Sequence, residues 1–265
     1  MAADDASEQH YGAHMASGDP GARFRAVVFD FFGTLVPSAP PTVWLDHAQR
    51  VAAPMGLPGE ALMELLHSSF ADRAVGALGD LPSTLRALAR RLDVEPTPDQ
   101  LSRACQVRRD VHAQLFEPRP DALAVLDELR AAGLRIGVLT DCTVELPEAW
   151  SGLPLARRID EPVFSCSVGM RKPDPGLFAL IATRLAVPPS SCLYIGDGGG
   201  RELTGATEAG MTAVLLAERD HGVDSAFEVE ADWGGLRISR LAEVPTLVSV
   251  KTSQPPLRVR GSRGP

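Results

Sequence analysis

The stretch Val27-Val28-Phe29-Asp30-Phe31-Phe32-Gly33-Thr34-Leu35 decides how this chain is read. A short apolar run that stops at an acid and a Gly-Thr turn predicts a buried parallel strand delivering the Asp30 carboxylate at its C-terminal end. In open α/β sheets that end is where ligands bind. Taken alone, Asp30 is equally an acid that caps a turn, and later stretches tip the balance. Residues 134–139 end in Thr140-Asp141, and residues 192–195 end in Gly196-Asp197, each after a helical pattern, as parallel crossovers require. Between them, Gly169-Met170-Arg171-Lys172-Pro173-Asp174-Pro175 sets a lysine on a loop just ahead of a helix that Asp174 caps and Pro175 begins. Only two of the 26 basic residues are lysines, Lys172 and Lys251, so the position of Lys172 is informative. A carboxylate, a hydroxyl, a cation and a second carboxylate thus reach one sheet edge. Such a set can hold a divalent metal and a phosphate together, because hard cations take oxygen ligands and a phosphate needs donors and positive charge around it.

Asp30-Phe31-Phe32-Gly33-Thr34, Thr140, Lys172-Pro173-Asp174-Pro175 and Gly196-Asp197 followed by Glu202, in this order, resemble the four motifs of the haloacid dehalogenase superfamily of hydrolases. The resemblance spans roughly residues 25–216. It implies an α/β fold, a Rossmann-like doubly wound parallel sheet core with an inserted all-helical cap domain. It also implies a phosphohydrolase in which Asp30 attacks phosphorus and Thr140 and Lys172 hold the phosphate beside Asp141. The implied Mg²⁺ is bound by Asp30, the backbone carbonyl of Phe32 and Asp197, with Glu202 orienting Lys172 or a water on the metal. One position departs from the pattern: phosphatases of the superfamily carry a second Asp where this chain has Phe32. A phenyl ring cannot exchange a proton, and general acid–base catalysis is typically worth about 10² to 10⁴ in rate. The expectation is therefore a slow or selective phosphatase of a small phosphorylated molecule.

Other readings stay open at this point. Dehalogenases of the superfamily also carry an aromatic residue at the Phe32 position and attack carbon, but they need no metal and lack the Gly196-Asp197 pair. Phosphonate-cleaving relatives use a cap lysine, and residues 42–116 contain none. A binding or regulatory protein that kept the fold and metal site after losing its acid–base residue is the alternative from a different class.

The remaining sequence fits around that core. A chain of 265 residues, 45% hydrophobic, can bury a large core. No apolar run approaches the roughly 18 residues of a membrane helix, and the N-terminus lacks a signal-peptide layout, so a cytoplasmic protein without membrane contact is expected. Cys105, Cys142, Cys166 and Cys192 show no paired spacing and read as mostly buried free thiols in a reducing compartment. Residues 1–22 carry four acids and no Lys or Arg, and residues 251–265 carry four cations and no acid, so the body between them keeps the whole net charge of −8. An acidic body argues against nucleic-acid binding, whose affinity is dominated by cations meeting phosphates.

Residues 1–22 and 251–265 are expected to be disordered, 23–40 and 117–250 to form the α/β core, and 41–116 the helical cap. Proline-rich exits at Val36-Pro37-Ser38-Ala39-Pro40-Pro41 and Glu117-Pro118-Arg119-Pro120 bound the cap, and apolar spacing predicts four helices within it. Its charged residues Arg73, Arg108, Arg109 and His112 are read as a solvated face rather than substrate contacts.

Overall fold

The computed structural model describes residues 23–217, 230 and 232–249. The expectations for 1–22 and 251–265 lie outside them. The chain opens with β1 (Ala26–Phe29) and then runs through five helices: α1 (Pro41–Ala52), α2 (Gly59–Ser68), α3 (Phe70–Ala74), α4 (Leu81–Arg90) and α5 (Pro98–Ala113). It continues as α6 (Ala122–Ala131), β2 (Arg135–Thr140), α7 (Glu145–Ala149), β3 (Glu161–Phe164), α8 (Ser165–Val168), α9 (Pro175–Arg184) and β4 (Cys192–Gly196). Then follow α10 (Glu202–Glu208), β5 (Thr212–Leu216), β6 (Leu236–Ile238) and α11 (Val244–Ser249).

The six strands form one sheet in the order β3-β2-β1-β4-β5-β6, every pair parallel. β1 sits between β2 and β4, with Phe29 opposite Val138 on one side and Ile195 on the other. Because side chains alternate along a strand, Val27 and Phe29 pack with α6 residues Val125, Leu126 and Leu129 on one face, while Ala26 and Val28 pack with α9 residues Leu177, Phe178 and Ile181 on the other. Burial on both faces is why these strands read as unbroken apolar runs.

The five helices between β1 and β2 bury a separate hydrophobic cluster that includes Val51, Leu62, Leu85, Leu88, Leu101 and Val111. Local sequence sets their ends. Asp80 accepts from the Ser83 N–H at 2.9 Å ahead of α4, and Thr97 and Gln100 exchange side chain-to-backbone hydrogen bonds ahead of α5. Where four helices were expected there are five, the addition being the short α3. One strand, β3, was not anticipated, and the stretch 233–248, expected to add one short strand or helix, supplies both β6 and α11. β3 (EPVF) contains Pro162, which a central strand does not tolerate but an edge strand does, and β3 pairs only with β2. β6 is only three residues long and half exposed, too short to leave a periodic signal.

Candidate active site

The C-terminal edge of the sheet gathers the acidic motifs. Asp30 follows β1 directly and its N–H donates to the Ile195 carbonyl at 2.9 Å, so its carboxylate is carried by the sheet itself. The chain then turns tightly, with the N–H groups of Thr34, Leu35 and Val36 all directed at the Phe31 carbonyl. Gly33 (φ +79°) lies against Asp197: a Cβ there would fall 2.1 Å from Asp197 Oδ2. Asp197 follows β4, and its Oδ1 accepts from the Gly199 N–H at 2.9 Å. Gly198 and Gly200 both take positive φ, a backbone path that glycine adopts at low cost.

Lys172 is the cation among these acids. Its Nζ lies 2.7 Å from Asp30 Oδ1 and 2.5 Å from Glu202 Oε2, and all three residues are buried. The Tyr194 hydroxyl donates to Glu202 Oε2 at 2.7 Å, and the Gly198 N–H donates to Glu202 Oε1 at 2.9 Å. Asp141 Oδ1 accepts the Lys172 backbone N–H at 3.0 Å, tying the β2 exit to the lysine loop. That loop is held in turn by the expected cap, Asp174 accepting the Gly176 N–H at 2.8 Å. Thr140 ends β2 with its Oγ1 buried and without a hydrogen-bond partner. Asp30, Asp141, Lys172, Asp197 and Glu202 are therefore linked or adjacent at one edge, with the Thr140 hydroxyl at the end of the strand beside β1. The partly buried Phe32 ring packs in an aromatic group, 5.0 Å from Phe31 and 6.2 Å from Phe116 between centroids.

Residues 24–210, well over half of the chain, match the haloacid dehalogenase-like hydrolase family. The chain belongs to the haloacid dehalogenase-like hydrolases. Among curated relatives, a glyceraldehyde 3-phosphate phosphatase of Methanopyrus kandleri is 29% identical over 194 residues, covering 72% of this chain and 83% of the relative. A phosphatase of Mycobacterium tuberculosis, MT3486, is 33% identical over 199 residues, covering 72% and 86%. Among solved structures, a 2-haloacid dehalogenase from Pseudomonas syringae superposes with a TM-score of 0.64 at 23% identity, over 84% of this chain and 97% of that one, a likeness of fold. The protein is thus a hydrolase of this family with phosphatase relatives. Among the described residues no helix is long and apolar enough to cross a membrane.

The acids of this hydrolase carry more negative charge than Lys172 balances. Asp30, Asp197 and Glu202 each place a carboxylate oxygen within 4.8 Å of the others. Burial, then repulsion from Glu202, pushes the Asp197 carboxyl up to about 7. Burial also raises the Asp30 carboxyl well above its usual range, against the pull of Lys172. Burial works against a charged Lys172, but Asp30 and Glu202 outweigh it and hold the ammonium well above the ordinary lysine range. With Glu202 occupied by Lys172, Tyr194 and Gly198, the carboxylates of Asp30 and Asp197 are the ones open to a hard cation. Such a cation offsets the burial and the repulsion that raise both.

Three further residues escaped the sequence reading. Buried Arg119 braces the turn after Asp30: its Nε donates to the Thr34 carbonyl and its Nη2 to the Gly33 carbonyl, both at 2.8 Å, and its N–H donates to the Leu35 carbonyl at 2.9 Å. Its only sequence signal is its place between Pro118 and Pro120. Tyr194 sits inside an apolar strand, where nothing separates it from core. Glu145 accepts from Arg108 Nε at 2.7 Å, both nine-tenths or more buried, joining α5 to α7. This corrects the solvated-face expectation. Arg73, Arg108 and His112 are buried, and only Arg109, paired with Glu148 at 3.0 Å, lies on a solvated face. Burial is tolerated because Glu145 also accepts from Thr143 and lies 3.9 Å from His112 Nε2, while Arg73 donates to the Leu66 carbonyl and the Ser69 hydroxyl.

Burial, then the Arg108 charge, lowers the His112 imidazole from 6.5 to about 3, and burial lowers neighbouring His47 as well. Between those two values the unfolded chain binds a proton that the folded chain refuses. The stability that neutral His112 contributes is therefore complete above 6.5 and is lost as pH falls toward 3. Glu145 is held below its usual range, so its own loss falls at lower pH than the start of this window. Between about pH 7 and about pH 5 the Tm of the native protein is expected to fall relative to that of His112→Gln, the raised Asp197 carboxyl acting in the opposite direction in both proteins. Equal changes in the two proteins would sink this assignment.

Proposed function

We propose that this hydrolase is a Mg²⁺-dependent phosphohydrolase of small phosphorylated metabolites, working through an aspartyl-phosphate on Asp30. The observation that carries the reading is the Asp30–Asp197 pair, two carboxylates facing one another beside Lys172. The pair suits a divalent cation, which the resemblance implies for attack on phosphorus and not for attack on carbon. The substrates for which relatives are named, such as glyceraldehyde 3-phosphate, are small phosphorylated molecules.

In this reading Asp30 and Asp197, with the backbone carbonyl of Phe32, hold Mg²⁺, which when bound neutralises negative charge on the phosphate. The Lys172 ammonium and the free Thr140 hydroxyl bind the remaining phosphate oxygens, one by charge and one by donation. Asp141 lines the site and fixes the lysine loop through its bond to the Lys172 backbone. Asp30 attacks phosphorus as its bond to the leaving oxygen breaks, the electron pair departing with that oxygen. Water then cleaves the aspartyl-phosphate, releasing phosphate and restoring the carboxylate. Glu202 and Tyr194 keep Lys172 aimed at Asp30. The five-helix segment serves as the cap, excluding water and selecting the substrate.

Phe32 leaves the leaving group without a protein acid. p-Nitrophenyl phosphate, whose leaving group needs little protonation, is therefore expected to be turned over only with Mg²⁺ present. Phe32→Asp is expected to raise turnover of an alkyl phosphate by up to about 10²-fold, and that of p-nitrophenyl phosphate less. The same change removes two aromatic contacts worth about 0.5–1.5 kcal/mol each, so a modestly lower Tm accompanies it. Turnover that ignores Mg²⁺, or none on any phosphate while Mg²⁺ still binds, would overturn the proposal.

A further inference from the structure

The sulfurs of Cys142 and Cys166, 24 residues apart in sequence, lie 3.9 Å apart, and both are free thiols. The β2–β3 ladder runs to the pair Thr140↔Phe164, and each cysteine stands two residues beyond that pair on its own chain segment. Neighbouring strands lie about 4.8 Å apart. A disulfide asks for a Cα separation of roughly 4.4–6.8 Å. Ser165 ties the two segments together, its Oγ accepting from the Cys142 N–H at 2.9 Å and donating to the Cys142 carbonyl at 3.3 Å. A sulfur–sulfur bond of about 2.05 Å is reached by a movement of about 2 Å shared between the two segments.

The two thiols are unequal. Cys142 is fully buried, whereas Cys166 is partly exposed at the start of α8. Contact with Cys142 also lowers the Cys166 thiol below its usual range, favouring the thiolate form there. Cys105 and Cys192 are both buried, and the Cys192 thiol points at the Pro188 carbonyl.

We propose that Cys142 and Cys166 are an oxidation-sensitive dithiol that hydrogen peroxide closes into a disulfide, and that closure switches turnover down. The Cys166 sulfur attacks the peroxide O–O bond, giving a sulfenic acid and releasing the other oxygen as water. The Cys142 sulfur then displaces the sulfenic oxygen, which leaves as a second water. Two thiols lose two protons and two electrons, and the hydrogen peroxide takes up both and leaves as two waters. Cys142 is the next residue after Asp141, whose carboxylate holds the Lys172 backbone, and is two residues after Thr140. Drawing it toward Cys166 displaces the phosphate-binding groups. This last step rests on the phosphohydrolase reading; disulfide formation does not.

The test treats the full chain with a small excess of hydrogen peroxide, alkylates the remaining thiols and maps the peptides by mass. A Cys142–Cys166 linked peptide two hydrogens lighter is expected, with Cys105 and Cys192 still alkylated. Mg²⁺-dependent turnover of p-nitrophenyl phosphate is expected to fall by at least about tenfold and to return with dithiothreitol. Cys166→Ser is expected to keep its turnover through the same treatment. Free Cys142 and Cys166 after peroxide, or a sulfinic acid on Cys166 beside free Cys142, overturns the dithiol. A linked peptide with unchanged turnover overturns the switch. If the untreated protein turns over no phosphate, the phosphohydrolase reading fails while the peptide map still decides the disulfide.

Discussion

Asp30→Asn is expected to abolish Mg²⁺-dependent hydrolysis of p-nitrophenyl phosphate, by about 10⁴-fold or more, with Tm changed by no more than a few degrees. An amide has neither the charge nor the nucleophilicity of a carboxylate, and removing an attacking group costs rate factors of this order. The fold is expected to survive because the change is nearly isosteric. The amide oxygen still accepts from Lys172 Nζ, now 2.7 Å from Asp30 Oδ1, and the backbone bond to Ile195 is untouched. Burial makes an ionised carboxylate costly at this position, so a neutral amide relieves repulsion from Asp197 and Glu202 while Lys172 keeps Glu202 as counter-ion. Turnover above about 1% of native in a well-folded variant would remove Asp30 from the role of nucleophile.

Lys172→Met is expected to damage both activity and stability. Taking out one partner of a buried ion pair costs about 3–5 kcal/mol, because the other charge stays buried and unpaired. Here two carboxylates, Asp30 and Glu202, lose their cation at once, and Asp197 stands within 4.8 Å of both. At about 2–4 °C per kcal/mol for a chain somewhat smaller than this one, Tm is expected to fall by roughly 10 °C. The pH dependence has a definite sign. The Asp30 and Asp197 carboxyls, already raised by burial, lose the pull of the ammonium as well, so their repulsion is present at high pH and is relieved as pH falls through the raised values. The deficit in Tm is therefore expected to be smaller at about pH 5 than at about pH 8. Turnover is expected to drop by about 10² or more, because charge on the phosphate loses its buried donor. Lys172→Arg is not expected to restore it, since a planar guanidinium does not fit a point held between Asp30 and Glu202. A deficit that does not change with pH would mean that Lys172 stabilises by packing rather than by charge.

The sequence by itself determined the sheet core. Strands β1, β2, β4 and β5 are apolar because parallel strands are buried on both faces, and that is a local pattern. The Asp174-Pro175 start of α9 was legible for the same reason: a cap depends on residues within a few positions of one another. So were the acids and the lysine at the strand ends, since a polar residue closing an apolar run marks the edge where the chain leaves the core.

Tertiary structure alone decided what those residues touch. Lys172 meets Asp30 across 142 residues and Glu202 across 30, Arg119 reaches back 85 residues to Thr34, and Cys142 comes to Cys166 across 24. Arg108 and His112 have the spacing of a helix face whether that face meets water or Glu145, so burial of the ion pair had no local sign. Periodicity and capping act over one turn of helix or a few rungs of strand. The order β3-β2-β1-β4-β5-β6, which sets these residues side by side, is selected by packing over the whole chain.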